Sequence, residues 1–201
     1  QCSTMIKSFN GLSPSIPAPA CVSETALIMG DVVMGEHCGV WPRTVIRGDF
    51  ATIRIGSGTI IEDNVVVHTD TDMIIGDNVI LGHGAMVHCR CVGNNSLIAN
   101  NITPLDDAEI GEFCIIGAGS VVSPGTSIPF RSLAFGVPGK VAGELKAHQM
   151  RRLERGNQSY LAMFEQAAAR AKSVYTTCRF SRETGASDLS CDHLLKRETE
   201  H

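Results

Sequence analysis

Residues 92–128, VGNNSLIANNITPLDDAEIGEFCIIGAGSVVSPGTSI, decide the fold, because every sixth position is held by a branched aliphatic residue or proline. The series is Val92, Ile98, Pro104, Ile110, Ile116, Val122 and Ile128. Outward toward the N-terminus the same beat returns as Ile75, Leu81 and Val87, as Ile55, Ile61 and Val67, and as Val22, Ile28, Met34, Val40 and Ile46. Two places before the members of that first run stand Ala20, Ala26, Val32, Cys38 and Thr44, all small or β-branched. An amphipathic helix repeats near every 3.6 residues and a two-sided strand every 2, so neither accounts for a six-residue period. A fixed short period of this length specifies a parallel β-helix, each hexad forming one flat face of a triangular prism and three hexads making a turn. Glycine often follows the aliphatic member, at Gly35, Gly56, Gly76, Gly82, Gly93, Gly111 and Gly117. Read as corner residues, these are expected at positive φ, which is cheap only without a Cβ.

Composition sets limits on this reading. The chain has 201 residues, 43% hydrophobic but only 5% aromatic, which suits one narrow core of Val, Ile, Ala and Cys. The expected organisation is an all-β solenoid over residues 1–142, opened by an extended segment with Pro14, Pro17 and Pro19, then a C-terminal α-helix packed along it over 143–173. Gly156-Asn157 is a candidate break in that helix, and a polar tail over 174–201 is expected to be irregular. A net charge of -4 gives no footprint for nucleic acid, and no apolar run approaches the roughly 18 residues of a membrane span. The first residues show no charged stretch followed by an apolar one, so no secretory signal is expected. Of eight cysteines, Cys38 and Cys114 fall on the small inward position of the hexad, where a thiol packs as a hydrophobe. A cytoplasmic location is the expectation.

Counting also places three histidines. With Ile46 starting face one, Ile55 is face two after a three-residue insertion, Ile61 is face three, and Val67, Ile75, Leu81 and Val87 repeat the cycle. His68 and His88 each follow a face-one aliphatic, so they stack on consecutive turns about 4.8 Å apart, a spacing at which two imidazoles can share a metal. Arg47 lies one turn below in the same column. His83, two places after face-three Leu81, belongs to another corner, with Glu62 and Asp63 one turn below and Asn100 one turn above. In a threefold assembly a neighbouring chain could bring its His83 to the first pair. A three-histidine set with an open fourth position is the catalytic type of zinc site. By contrast, Cys89-Arg90-Cys91 lacks the usual zinc spacing.

At these residues the chain resembles the γ-class carbonic anhydrase family and its hexapeptide-repeat relatives. The likeness covers residues 7 to 165 and rests on Gly30-Asp31-Val32, Trp41-Pro42, Arg47-Gly48-Asp49, the run from Glu62 to His68, the run from Ile80 to His88, and the run from Gly136 to Val141. It implies a left-handed β-helix and a homotrimer in which zinc, or Fe2+ or Co2+, is held by His68 and His88 of one subunit and His83 of the next. It also implies charge pairs of Arg47, Asp49 and Asp63 across the interface, with Glu62 and Asn100 beside the reacting molecule. The implied activity is reversible hydration of carbon dioxide to bicarbonate, the metal lowering the pKa of water to about 7. Metal-dependent thioester hydrolysis, acyl transfer from acyl-CoA and a non-enzymatic trimeric scaffold are the alternatives.

The chain departs from the family pattern in four places. Glu62 stands where the family usually has a glutamine. Phe50 replaces a glutamate after the Arg-x-Asp motif. The short Thr69-Asp70-Thr71-Asp72 segment replaces an acidic, proton-shuttling loop, which leaves Asp70 or Asp72 as substitutes and predicts weak turnover. Arg90 occupies a position counted as small and inward-facing.

Overall fold

The computed structural model describes residues 5–170 and 175–180. They form a parallel β-solenoid of about seven turns with one C-terminal helix. Face one is the register Ile28↔Ile46↔Val67↔Val87, carried onward by the backbone bond from His88 N to Pro104 O and by Pro104↔Val122. Face two runs Met34↔Ile55↔Ile75↔Val92↔Ile110↔Ile128. Face three runs Val22↔Val40↔Ile61↔Leu81↔Ile98↔Ile116↔Ala134. Every hexad aliphatic therefore pairs with its counterpart one turn away, as the count requires. These residues fill one continuous core, most of them fully excluded from solvent.

The inward position two places earlier also takes polar residues, because the next turn satisfies them. Thr44 Oγ1 donates to Glu62 O (2.7 Å), Thr59 Oγ1 to Gly76 O (2.8 Å) and Ser96 Oγ to Gly111 O (2.9 Å). Cys38 and Cys114 pack there as thiols, which burial pushes up to about 12 and about 11.

The structure corrects four expectations. Positive φ does not fall on the glycines after the aliphatics. It falls three residues after the aliphatic member, at Asn64 (59°), Asn78 (54°), Asn95 (56°) and Asn101 (54°), where the asparagine side chain tolerates the left-handed region. The glycines serve close approach instead. A Cβ on Gly93 would lie 2.5 Å from Glu112 N and 2.6 Å from Gly111 C, so the adjacent coil leaves no room for one.

Arg90 does not point inward. The step from Val87 to Val92 is five residues, not six, so buried Cys89 takes the inward slot and exposed Arg90 turns toward Glu109, 3.9 Å away. Gly156-Asn157 does not break the helix, which runs through as Ala147–Arg170. The tail is not irregular throughout. Tyr175–Phe180 pairs antiparallel with Ile16–Ser23, covering main-chain groups that would otherwise end the face-three sheet unpaired. Its Tyr-Thr-Thr start is rich in strand-favouring residues, which counting by six does not detect. The rest of the expected tail, residue 174 and residues 181–201, lies outside the described residues.

At the other end of the solenoid Ser132–Phe135 pairs antiparallel with Lys140–Glu144. Leu145, buried, leads into the helix. Arg131 Nε donates to Met150 Sδ (3.1 Å), tying the helix to the prism.

Candidate metal centre

The face-one corner is built by register. Val67↔Val87 pairing places His68, which ends the strand Val66–His68, beneath His88, and their ring centroids are 5.2 Å apart at 50°. Each imidazole has a carboxylate neighbour. Asp106 Oδ1 lies 2.5 Å from His88 Nδ1, which fixes the ring and leaves Nε2 as its free ligand atom. Asp49 Oδ1 lies 3.2 Å from His68 Nε2, and its other oxygen pairs with Arg47 Nη1 at 3.1 Å. Phe50, largely exposed, sets its ring edge-on to His68 at 5.8 Å.

The donor set fits a divalent cation. Although 3.2 Å apart, buried His68 Nε2 and Asp49 Oδ1 lack hydrogen-bond geometry and have no other hydrogen-bond partner. A basic nitrogen and a carboxylate oxygen, both buried and unmatched, are atoms that a nearby cation would satisfy. Among the described residues, one set of three metal-ligating side chains brings its ligand atoms within 4.8 Å of one another: His68, Asp70 and His88.

His83 stands apart from that set, on the face-three column. Its Nε2 lies 3.2 Å from Glu62 Oε2 and its Nδ1 3.1 Å from Asp63 Oδ2, and its backbone N–H donates to Glu62 Oε2 at 3.1 Å. Glu62 is buried at 4% exposure, unusual for a carboxylate. The Tyr160 hydroxyl, supplied by the helix, hydrogen-bonds to Glu62, and that bond, with burial and the nearby negative charge, raises its pKa above the ordinary tyrosine value. Glu62, Asn100 and Tyr160 are polar groups lining a cavity of about 450 Å³ between helix and face three, with Ile80, Leu97 and Ile115 among its apolar walls.

The structure thus brings His68 and His88 together and keeps His83, Glu62, Asp63 and Asn100 as a second group. Arg47 pairs with Asp49 and Asp63 with His83 within one chain. Two residues of these groups escaped the sequence. Asp106 was within reach of the same count, since it follows face-one Pro104 by two and so neighbours His88. Tyr160 carries no such signal, because its position depends on how the helix docks.

No family model matches the chain. It is 43% identical over 159 residues to a carbonic anhydrase of Geobacillus kaustophilus, an alignment covering 78% of this chain and 87% of the relative. It is 35% identical over 134 residues to the carnitine operon protein CaiE of Escherichia coli, covering 66% of this chain and 68% of the relative. Among solved structures it superposes on a hexapeptide transferase family protein from Anaplasma phagocytophilum with a TM-score of 0.78 and 32% identity, covering 81% of this chain and 98% of that one.

Proposed function

Because the chain belongs to the γ-carbonic anhydrase-like family of hexapeptide-repeat proteins, we propose that it hydrates carbon dioxide reversibly to bicarbonate at a divalent-metal site completed between the subunits of a homotrimer. The observation that carries this reading is the stacked His68–His88 pair with unmatched buried polar atoms beside it. His83 lies with Glu62 and Asp63 on the other column of its own chain, so a threefold assembly could bring the partner subunit's His83 to this pair. Zinc is the first candidate and Fe2+ or Co2+ the next; the bound cation would supply Lewis acidity and lower the pKa of water to about 7.

The chain's own groups would do the rest. Glu62 Oε2, shielded from solvent, accepts a hydrogen bond from the attacking water and orients its lone pair. Tyr160, held in its protonated form, donates to Glu62 and keeps the carboxylate from swinging away. The Asn100 amide, on the same cavity wall, donates to an oxygen of the product anion. Arg47, Asp49 and Asp63 act as charge pairs at the subunit interface. Buried thiols at Cys38, Cys89 and Cys114 suit the reducing cytoplasm, where we place the protein.

One observation favours a second reading. A cavity of about 450 Å³ with apolar walls exceeds what carbon dioxide needs and would admit the acyl arm of a thioester. Metal analysis and parallel assays with carbon dioxide and acyl-CoA on one anaerobically purified sample separate the readings. Stoichiometric metal with hydration supports the first, and metal with thioester cleavage the second. Acyl transfer without metal overturns both, and so does an inert protein, which would be a scaffold.

A further inference from the structure

The step from Val67 to Ile75 is eight residues where the prism needs six, and the two extra residues are taken up in the segment Thr69-Asp70-Thr71-Asp72, which bends at Asp70 and Thr71. The segment is pinned on both sides of its exposed second residue. Thr69, buried, donates from Oγ1 to Thr71 O (2.7 Å) and accepts from Thr71 N (3.2 Å), while Asp72 accepts from Thr52 N (3.1 Å). Between these anchors Asp70 makes no hydrogen bond or ion pair with the described residues, yet offers a carboxylate oxygen within 4.8 Å of a ligand atom of His68 and one of His88. The braced bend fixes where the Asp70 side chain leaves the backbone, beside two stacked imidazoles, and leaves its carboxylate free to turn toward a cation.

Resting on the metal reading above, we propose that Asp70 is itself a metal ligand, so that one chain holds a divalent cation with two histidines and one carboxylate before any partner contributes. Two neutral imidazoles leave the full charge of the cation uncompensated, and a carboxylate halves it. Two histidines and a carboxylate with open positions form a set proteins use for divalent iron as well as zinc. The partner subunit's His83 then occupies one of the open positions and tightens the site without creating it. This role removes Asp70 from proton transfer and leaves the task of a shuttle to Asp72.

The test is titration of the full chain, stripped of metal, with Co2+, reading stoichiometry and the visible d–d spectrum. The His83→Ala variant should still take up one Co2+ per chain, at least about tenfold more weakly than the parent. Asp70→Asn should weaken binding by about 10 to 100-fold and shift the d–d bands. The double variant should bind no stoichiometric Co2+. Parent-like affinity and spectrum for Asp70→Asn in both backgrounds would overturn the proposal, as would complete loss of binding in His83→Ala alone. His68→Ala reports on the underlying reading separately: if it binds Co2+ like the parent, the metal centre itself is wrong, whatever Asp70 does. Circular dichroism of each variant shows that the solenoid persists, as expected for an exposed bend.

Discussion

Glu62 is engaged from two sides, by the backbone and ring of His83 and by the Tyr160 hydroxyl. Its nearest conservative replacement separates charge from hydrogen bonding. Glu62→Gln keeps a carbonyl acceptor in the same place, so it should retain metal and a measurable fraction of hydration activity. Glu62→Ala should retain metal and lose activity by roughly 10 to 100-fold, the usual cost of an outer-shell partner. Parent-like hydration rates in both variants would make Glu62 a bystander. Tyr160 gives a second residue-scale prediction. Its folded pKa is raised, so its contribution to stability is fully present below the unfolded value near 10 and is lost as pH rises through the folded value. Urea unfolding should therefore show the parent losing more stability between pH 8 and pH 11 than Tyr160→Phe does. Equal losses would mean that the phenol is not held by Glu62.

A single hexad repeats two demands, a residue that bends left and a residue that takes up no space, and the two fall at different positions. The left-handed bend sits on Asn95, and the missing side chain on Gly93. Gly93→Ala would push a methyl into the backbone of the next coil and should cost about 1–3 kcal/mol by denaturant unfolding. Asn95→Gly, which relieves a left-handed residue of its Cβ, should be tolerated. The reverse order of stabilities would return the bend to the glycine. Strand pairing was legible at this scale because the inward aliphatic is the one feature every hexad shares. The role of the glycines was not, since a missing Cβ looks the same in sequence whether a torsion or a neighbour requires it. Arg90 was misplaced for a related reason: counting back from Val92 assumes six residues, and the shortening to five is absorbed before Cys89 and not after it.

Taken as one molecule, the prism divides its polar groups between two columns, His68 with His88 on one and His83 with Glu62 on the other. Counting alone yields that division, because position along a solenoid is arithmetic. The docking of the helix, the contact of Tyr160 with Glu62 and the strand Tyr175–Phe180 depend on tertiary packing that no period encodes. The division has a testable consequence for assembly. His83→Ala subunits lack one column and His88→Ala subunits the other, so verified mixed assemblies should regain tight Co2+ sites that neither variant forms by itself. Failure to regain them would place both columns' functions within single chains. The face-three sheet also ends in a way that governs how large any assembly becomes. A stack of parallel coils is a template able to copy itself onto the next molecule. At each end of the face-three sheet, however, the last strand runs backwards, Lys140–Glu144 at one and Tyr175–Phe180 at the other. An incoming coil would meet a bonding pattern of alternating wide and narrow spacing where it needs an even one. On this face axial growth is thereby blocked at both ends, whereas the sides of the prism carry no such block and can associate into a ring that closes at a finite size.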